Sequence, residues 1–170
     1  MMLGTRVILL GMNALPDADQ GDTGAEMLCA ANHEIPLFWL LPFVESDLQQ
    51  FTDESAEAEN YPLLIAGRTA LLSCLQNRID SLLPELNPDD AGLLKRWQAF
   101  LSEQDYPVLA IDTYELWRNR ADPGTLEQEL AQRLQQLQRI ATNPAACLQA
   151  LQADGVWSSG NPIALAGFGW

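Results

Sequence analysis

The apolar positions of the chain fall into short continuous runs and longer stretches spaced three and four apart. Residues 5–12 (TRVILLGM) form a β-branched, apolar run that predicts a buried strand, ended by Gly11 and a polar loop. Thr23, with Glu26 three residues on, reads as a capping box and predicts a helix over residues 25–31. Pro36 suits a first helical turn, and Leu37, Leu40, Leu41 and Val44 follow at helical spacing, with a break expected at Pro42. Leu48 and Phe51 extend the same stripe. The segment from His33 to Val44 therefore reads as core, turning to solvent at Glu45, where carboxylates begin.

Further along, YPLLIAG (residues 61–67) predicts a second strand, and residues 68–83 a helix with Leu72, Leu75, Ile79 and Leu82 on one face. Asn87-Pro88 is a cap followed by proline at the first helical position, and Asp89 and Asp90 suit the positive end of that helix. Leu93, Trp97, Phe100 and Leu101 form its apolar side. Val108 to Asp112 predicts a central strand, and residues 125–141 the most regular helix, with Leu126, Leu130, Leu134, Leu137 and Ile140 in a stripe. Asn143-Pro144 starts a short helix through Leu151, and the remaining residues read as strand and loop. The expected architecture is α/β or α+β. It is a single globular domain, 1–170, with a short, mostly central sheet of three or four strands and four to six helices.

Charge changes this picture more than composition does. Nine Lys and Arg stand against 23 Asp and Glu, a formal net charge of −14. Such a field repels nucleic acid and anionic membranes and attracts basic proteins or cations. No Lys or Arg occurs between Arg6 and Arg68, while Glu45, Asp47, Asp53, Glu54, Glu57 and Glu59 crowd into fifteen residues. That tract is either a solvated face or the rim of a surface that docks a basic partner. No apolar run approaches the ~20 residues that cross a bilayer. The N-terminus reads as a strand rather than a signal peptide. Cys29, Cys74 and Cys147 lie far apart among apolar residues, as free thiols in a reducing cytoplasm would.

Candidate chemistry is sparse. Cys29 and His33, four apart, would share a helix face with Glu26 a turn earlier, but further ligands at zinc spacing are missing. Asp112 and Glu115 flank the predicted end of a strand, where open sheets place ligands, and could serve a small metal-dependent enzyme. No phosphate loop, dinucleotide fingerprint, nucleophile elbow or zinc-protease motif is present, and one histidine excludes most hydrolase arrangements. No cofactor is expected. Among the five tryptophans, Trp97 and Trp117 fall on apolar faces, while Trp39 and Trp170 are candidate partner anchors.

In size, acidity and its combination of tryptophans with carboxylates, the chain resembles the small immunity proteins that bacteria pair with toxins. The resemblance implies a cytoplasmic, non-enzymatic inhibitor that occludes a basic toxin domain. Glu45, Asp47, Asp53, Glu54, Glu57 and Glu59 would steer encounter, and Trp39 and Trp170 would supply the desolvated contacts. The alternatives are an adaptor or oligomerising subunit using the amphipathic helix 125–141, and the Asp112–Glu115 enzyme.

Overall fold

The computed structural model describes residues 5–14, 24–52, 60–122 and 124–168. Five strands form one antiparallel sheet: β1 (Arg6–Met12), β2 (Glu26–Asn32), β3 (Leu48–Thr52), β4 (Asn60–Gly67) and β5 (Val108–Asp112), in the order β2-β1-β5-β4-β3. Seven helices are present among the described residues: α1 (Leu37–Leu40), α2 (Arg68–Leu82), α3 (Pro88–Ser102), α4 (Tyr114–Arg118), α5 (Gly124–Gln138), α6 (Pro144–Ala153) and α7 (Pro162–Ala166). This is an α+β fold, with five strands where the apolar runs suggest three or four and seven helices where four to six are expected.

The two strands that the sequence does not predict come from segments that read as helix. Residues 25–31 are good helix formers, yet Glu26–Asn32 pairs with β1 from Arg6↔Asn32 to Gly11↔Glu26. Pairing satisfies a whole strand edge of backbone groups, and that outweighs a propensity difference of tenths of a kcal/mol per residue. The cap expected at Thr23 lies outside the described residues. Leu48 and Phe51 do not extend a helix either; they lie in β3, opposite Leu64 and Tyr61, and so point to opposite faces of the sheet.

The helices that spacing predicts are there. Asn87 caps α3 by accepting the Asp90 N–H at 2.8 Å, and Asn143 caps α6 by accepting the Ala146 N–H at 3.1 Å. The same Asn-Pro signal starts α7, where Asn161 accepts from Ile163 and Ala164, so the C-terminal segment is helix and turn rather than the expected strand. Gly167 ends it at φ +75°, in the left-handed region that glycine enters without steric cost.

Alternation within the strands gives the sheet two apolar faces. Val7, Leu9, Leu64, Leu109 and Ile111 point to the main core, which Leu71, Leu75 and Ile79 of α2 and the α5 leucines complete. Trp39 and Trp97 stack there with ring centroids 6.2 Å apart, and Trp39 Nε1 donates to Ala166 O at 2.9 Å. Met12, Leu63, Ile65, Val108 and Ala110 form a second buried cluster on the other face. Gly11 is needed in β1 because a Cβ there would overlap the Tyr106 ring, whose hydroxyl donates to Glu26 of β2.

The stretch from Leu37 to Phe43 is buried, as its composition predicts. Pro42 stops α1 after one turn, which strands the carbonyls of Leu41 and Phe43. Arg78, only 6% exposed, reaches from α2 and donates to both, at 2.7 and 2.8 Å. Among the described residues, no helix is long and apolar enough to cross a membrane.

Candidate protein-docking site

The end of the sheet where β5 runs into α4 collects aromatic rings and carboxylates. Register does the collecting. Phe51 of β3 lies opposite Tyr61 of β4, and Asp112 of β5 lies opposite Leu63 of β4 on one side and Ile8 of β1 on the other. Direct partners across antiparallel strands share a face, so Phe51, Tyr61, Leu63, Asp112 and Ile8 all look the same way. The chain then turns at Thr113, whose buried hydroxyl donates to Pro62 O at 2.6 Å, and α4 brings Tyr114 and Trp117 back over that corner.

The rings form one cluster. Tyr61 meets Phe51 at 5.6 Å, Tyr114 at 5.0 Å and Trp117 at 6.0 Å between centroids, and Tyr114 meets Trp117 at 6.1 Å. Tyr61 is nearly covered, whereas Phe51, Tyr114 and Trp117 stay half-buried. Such rings offer a large apolar area with little side-chain entropy to lose, which is why Tyr and Trp dominate interface hot spots.

Two carboxylates border the rings in different states. Glu115 is held by Arg6: its Oε2 accepts the Arg6 N–H at 2.7 Å, and the guanidinium lies 3.7 Å from Oε1. Among the described residues, Asp112 accepts the Tyr114 N–H, through Oδ1 at 2.9 Å. Burial raises its pKa above the ordinary carboxyl range; the Tyr114 hydrogen bond opposes that, and the charge of Glu115 adds to it. With Glu115 turned to Arg6, the two do not face a common point as an acid–base pair would.

The other expected site residues are placed as follows. Trp39 is fully buried and hydrogen-bonded, so it belongs to the core and cannot anchor a partner. Its apolar neighbours in sequence are all interior, and α7 closes over it, which leaves no ring face for a second protein. Glu45 and Asp47 sit on the short turn Glu45–Asp47 before β3, half-buried. Glu45 accepts from Gln135 of α5 at 3.0 Å, and Asp47 accepts the Val44 N–H at 2.8 Å. Burial raises the Asp47 pKa, against the Val44 hydrogen bond and the charge of Arg78. Both therefore spend part of their hydrogen-bonding capacity inside the molecule. Asp53, Glu54, Glu57, Glu59 and Trp170 lie outside the described residues.

Cys29 and His33 do not share a helix face: Cys29 is in β2, and His33 follows it at φ +70°, exposed. Among the described residues no group of three or more metal-ligating side chains comes together. All three thiols are free, and burial raises each of their pKa values, which leaves them poor nucleophiles. His33 lines a recess of about 370 Å³ between α1, α4 and α5, with a leucine floor and a rim of mixed charge. Arg120 on that rim is neutralised by Glu129 at 2.7 Å, and Arg133 donates to Gln136. The α5 stripe of Leu126, Leu130, Leu134 and Leu137 is buried in the molecule's own core.

Sequence reasoning singles out Asp112 and Glu115 but assigns Phe51 to a helix, leaves Tyr61 and Tyr114 aside and counts Trp117 as core. The two Tyr-Pro pairs opening apolar runs are visible in the chain, but the grouping depends on pairings that spacing alone does not reveal. No family model, curated protein or solved structure matches the chain.

Proposed function

We propose that the protein is a cytoplasmic binding protein of the immunity type, which neutralises a basic toxin by covering its active site. One observation carries the reading: a cluster of four aromatic rings, three of them partly exposed, at a carboxylate-bordered sheet end, in a chain of net charge −14. The rings supply area that a partner can desolvate, and the charge supplies long-range attraction to a cationic surface. The acidic stretch 53–59 leaves from Thr52 and returns at Asn60, which pair beside Phe51 and Tyr61. In this reading Asp53, Glu54, Glu57 and Glu59, which lie between Thr52 and Asn60 in the chain, would steer encounter.

The aromatic anchors in this reading are Tyr114 and Trp117, in place of Trp39. The adaptor alternative gains no support, because the stripe of helix 125–141 faces inward. The enzyme alternative gains none either, because Arg6 occupies Glu115.

The test is rescue in a bacterial host expressing the product of an adjoining gene. Wild-type protein should restore growth and form a complex with that product. A Tyr114→Ala, Trp117→Ala variant that still melts cooperatively should lose both. Replacing Asp53, Glu54, Glu57 and Glu59 by Asn or Gln should slow association and flatten its dependence on salt, with a smaller change in dissociation. No rescue and no complex with any adjoining gene product would sink the reading.

A further inference from the structure

We propose that the recess between α1, α4 and α5 binds a small amphipathic carboxylate, with its apolar part on the leucine floor and its charged end on Arg133. The site is separate from the aromatic corner and needs no partner protein. Tyr114 and Trp117 of α4 belong to the ring cluster, whereas Leu116 and Arg120 line the recess. A volume of about 370 Å³ suits a small ligand. The floor is Leu37 and Leu40 of α1, Leu116, and Leu126 and Leu130 of α5, all buried, so the core itself holds it in place.

Charge selects what the recess takes. Glu34, Glu129 and Asp154 on its rim are exposed and screened by water and salt, whereas Arg120 and Arg133 are half-buried. Glu129 stands four residues before Arg133, the order in which a helix pairs acid with base. Yet both of its oxygens go to Arg120, Oε2 at 2.7 Å and Oε1 at 2.8 Å. Arg133 therefore has no ion pair among the described residues, and it donates through one nitrogen to Gln136. This happens in a chain that holds 23 carboxylates for nine Lys and Arg. A half-buried guanidinium with donors to spare beside an apolar floor is completed by a carboxylate, which accepts two parallel N–H bonds. His33, also on the rim, is held at φ +70° by its N–H to Thr5 O at 2.7 Å. Residues other than glycine enter that region at a cost, and such positions gather at ligand clamps.

The long-range field of a chain at −14 opposes any acid, so saturable carboxylate binding reports this recess rather than diffuse attraction. The experiment titrates the full chain, labelled with ¹⁵N, with hexanoate, hexylammonium and hexanol. Hexanoate should shift the Arg133 Nε–H and the Gly155 and Val156 amides saturably. Hexylammonium should bind there about tenfold more weakly, because the half-buried charge it meets is a cation. Arg133→Gln should weaken hexanoate about tenfold and leave hexanol unchanged. Ala164→Phe, which fills the recess from α7, should remove the binding of both. The comparison of acid with amine is made on the natural chain, so it decides even where a variant fails to fold. The assignment is overturned by no saturable shift with hexanoate, by an equal or stronger response to hexylammonium, or by unchanged hexanoate affinity in a folded Arg133→Gln protein.

Discussion

Asp90 spends its two oxygens on four donors: Trp157 Nε1, Ser159 Oγ and Asn87 Nδ2 reach Oδ2, and the Gly160 N–H reaches Oδ1 at 2.8 Å. Burial alone would raise its pKa, but the hydrogen bonds from Ser159, Gly160, Trp157 and Asn87 together outweigh burial, and the value falls below the ordinary one. Asp112 has one described donor, and there burial wins, so its pKa rises. The two residues therefore contribute to stability with opposite dependence on pH. The contribution of Asp90 is complete above the ordinary carboxyl value of about 3.9 and is lost as pH falls through its lower folded pKa. The contribution of Asp112 is greatest below that ordinary value and is lost as pH rises through its higher folded pKa. Asp90→Asn should then destabilise by about 2 kcal/mol at neutral pH, with a deficit that shrinks in acid. Asp112→Asn should raise the melting temperature at neutral pH, with a gain that disappears near about pH 3. Thermal melts of both variants across that range decide it; a fall in stability for Asp112→Asn at neutral pH would mean the carboxylate is a structural group.

Among the elements, α1 depends on a residue from elsewhere. Its one turn ends at Pro42, and the two carbonyls it leaves are met by Arg78 from the middle of α2. Burial lowers the Arg78 pKa, and the neighbouring Cys74, Cys147 and Asp47 raise it. Arg78→Leu takes both guanidinium hydrogen bonds away, leaving the Leu41 carbonyl only the Cys74 thiol at 3.7 Å, and should cost about 3 kcal/mol. Arg78→Lys, with a single point donor, should recover part of that loss. Equal stability of wild type and Arg78→Leu in urea unfolding would show that water replaces the guanidinium. Elements were legible in the chain where the signal is local. Spacing and Asn-Pro caps place α2, α3, α5 and α6, and the apolar runs place β1, β4 and β5. The strands β2 and β3 were not legible, because what makes them strands is a partner chosen by the sheet rather than their own propensity. The docking corner failed in part for the same reason: Asp112 marks a strand end in sequence, but Phe51, Tyr61 and Tyr114 join it only through the register of β3, β4 and β5. Arg78 gave no sign of burial, since an arginine on a helix face ordinarily reads as solvated.

For the molecule as a whole, two strands of the sheet, β2 and β3, have a strand neighbour on one side only among the described residues. Beside β3 stands α5, which bonds to it through Gln50 and Glu127 at 2.6 Å. The other side is closed differently. Leu9 pairs with Cys29 and Leu10 with Met27, so Leu28 is an extra residue without a partner in the ladder. A strand bent in this way presents its outward amides out of step with any second strand. The residues around it, Met27 to Ala31, carry no charge, and Met27 is 57% exposed, so the irregularity and the shared negative charge of each copy are the barriers to chains joining edge to edge. Deleting Leu28 would restore regular alternation from Met27 to Cys29 and remove that irregularity. The shortened protein should stay monomeric in dilute buffer and form fibrils or precipitate as salt is raised, followed by light scattering, while the natural chain stays clear. One inserted leucine would then be what lets so acidic a protein remain dispersed at ionic strengths where its charge no longer keeps copies apart.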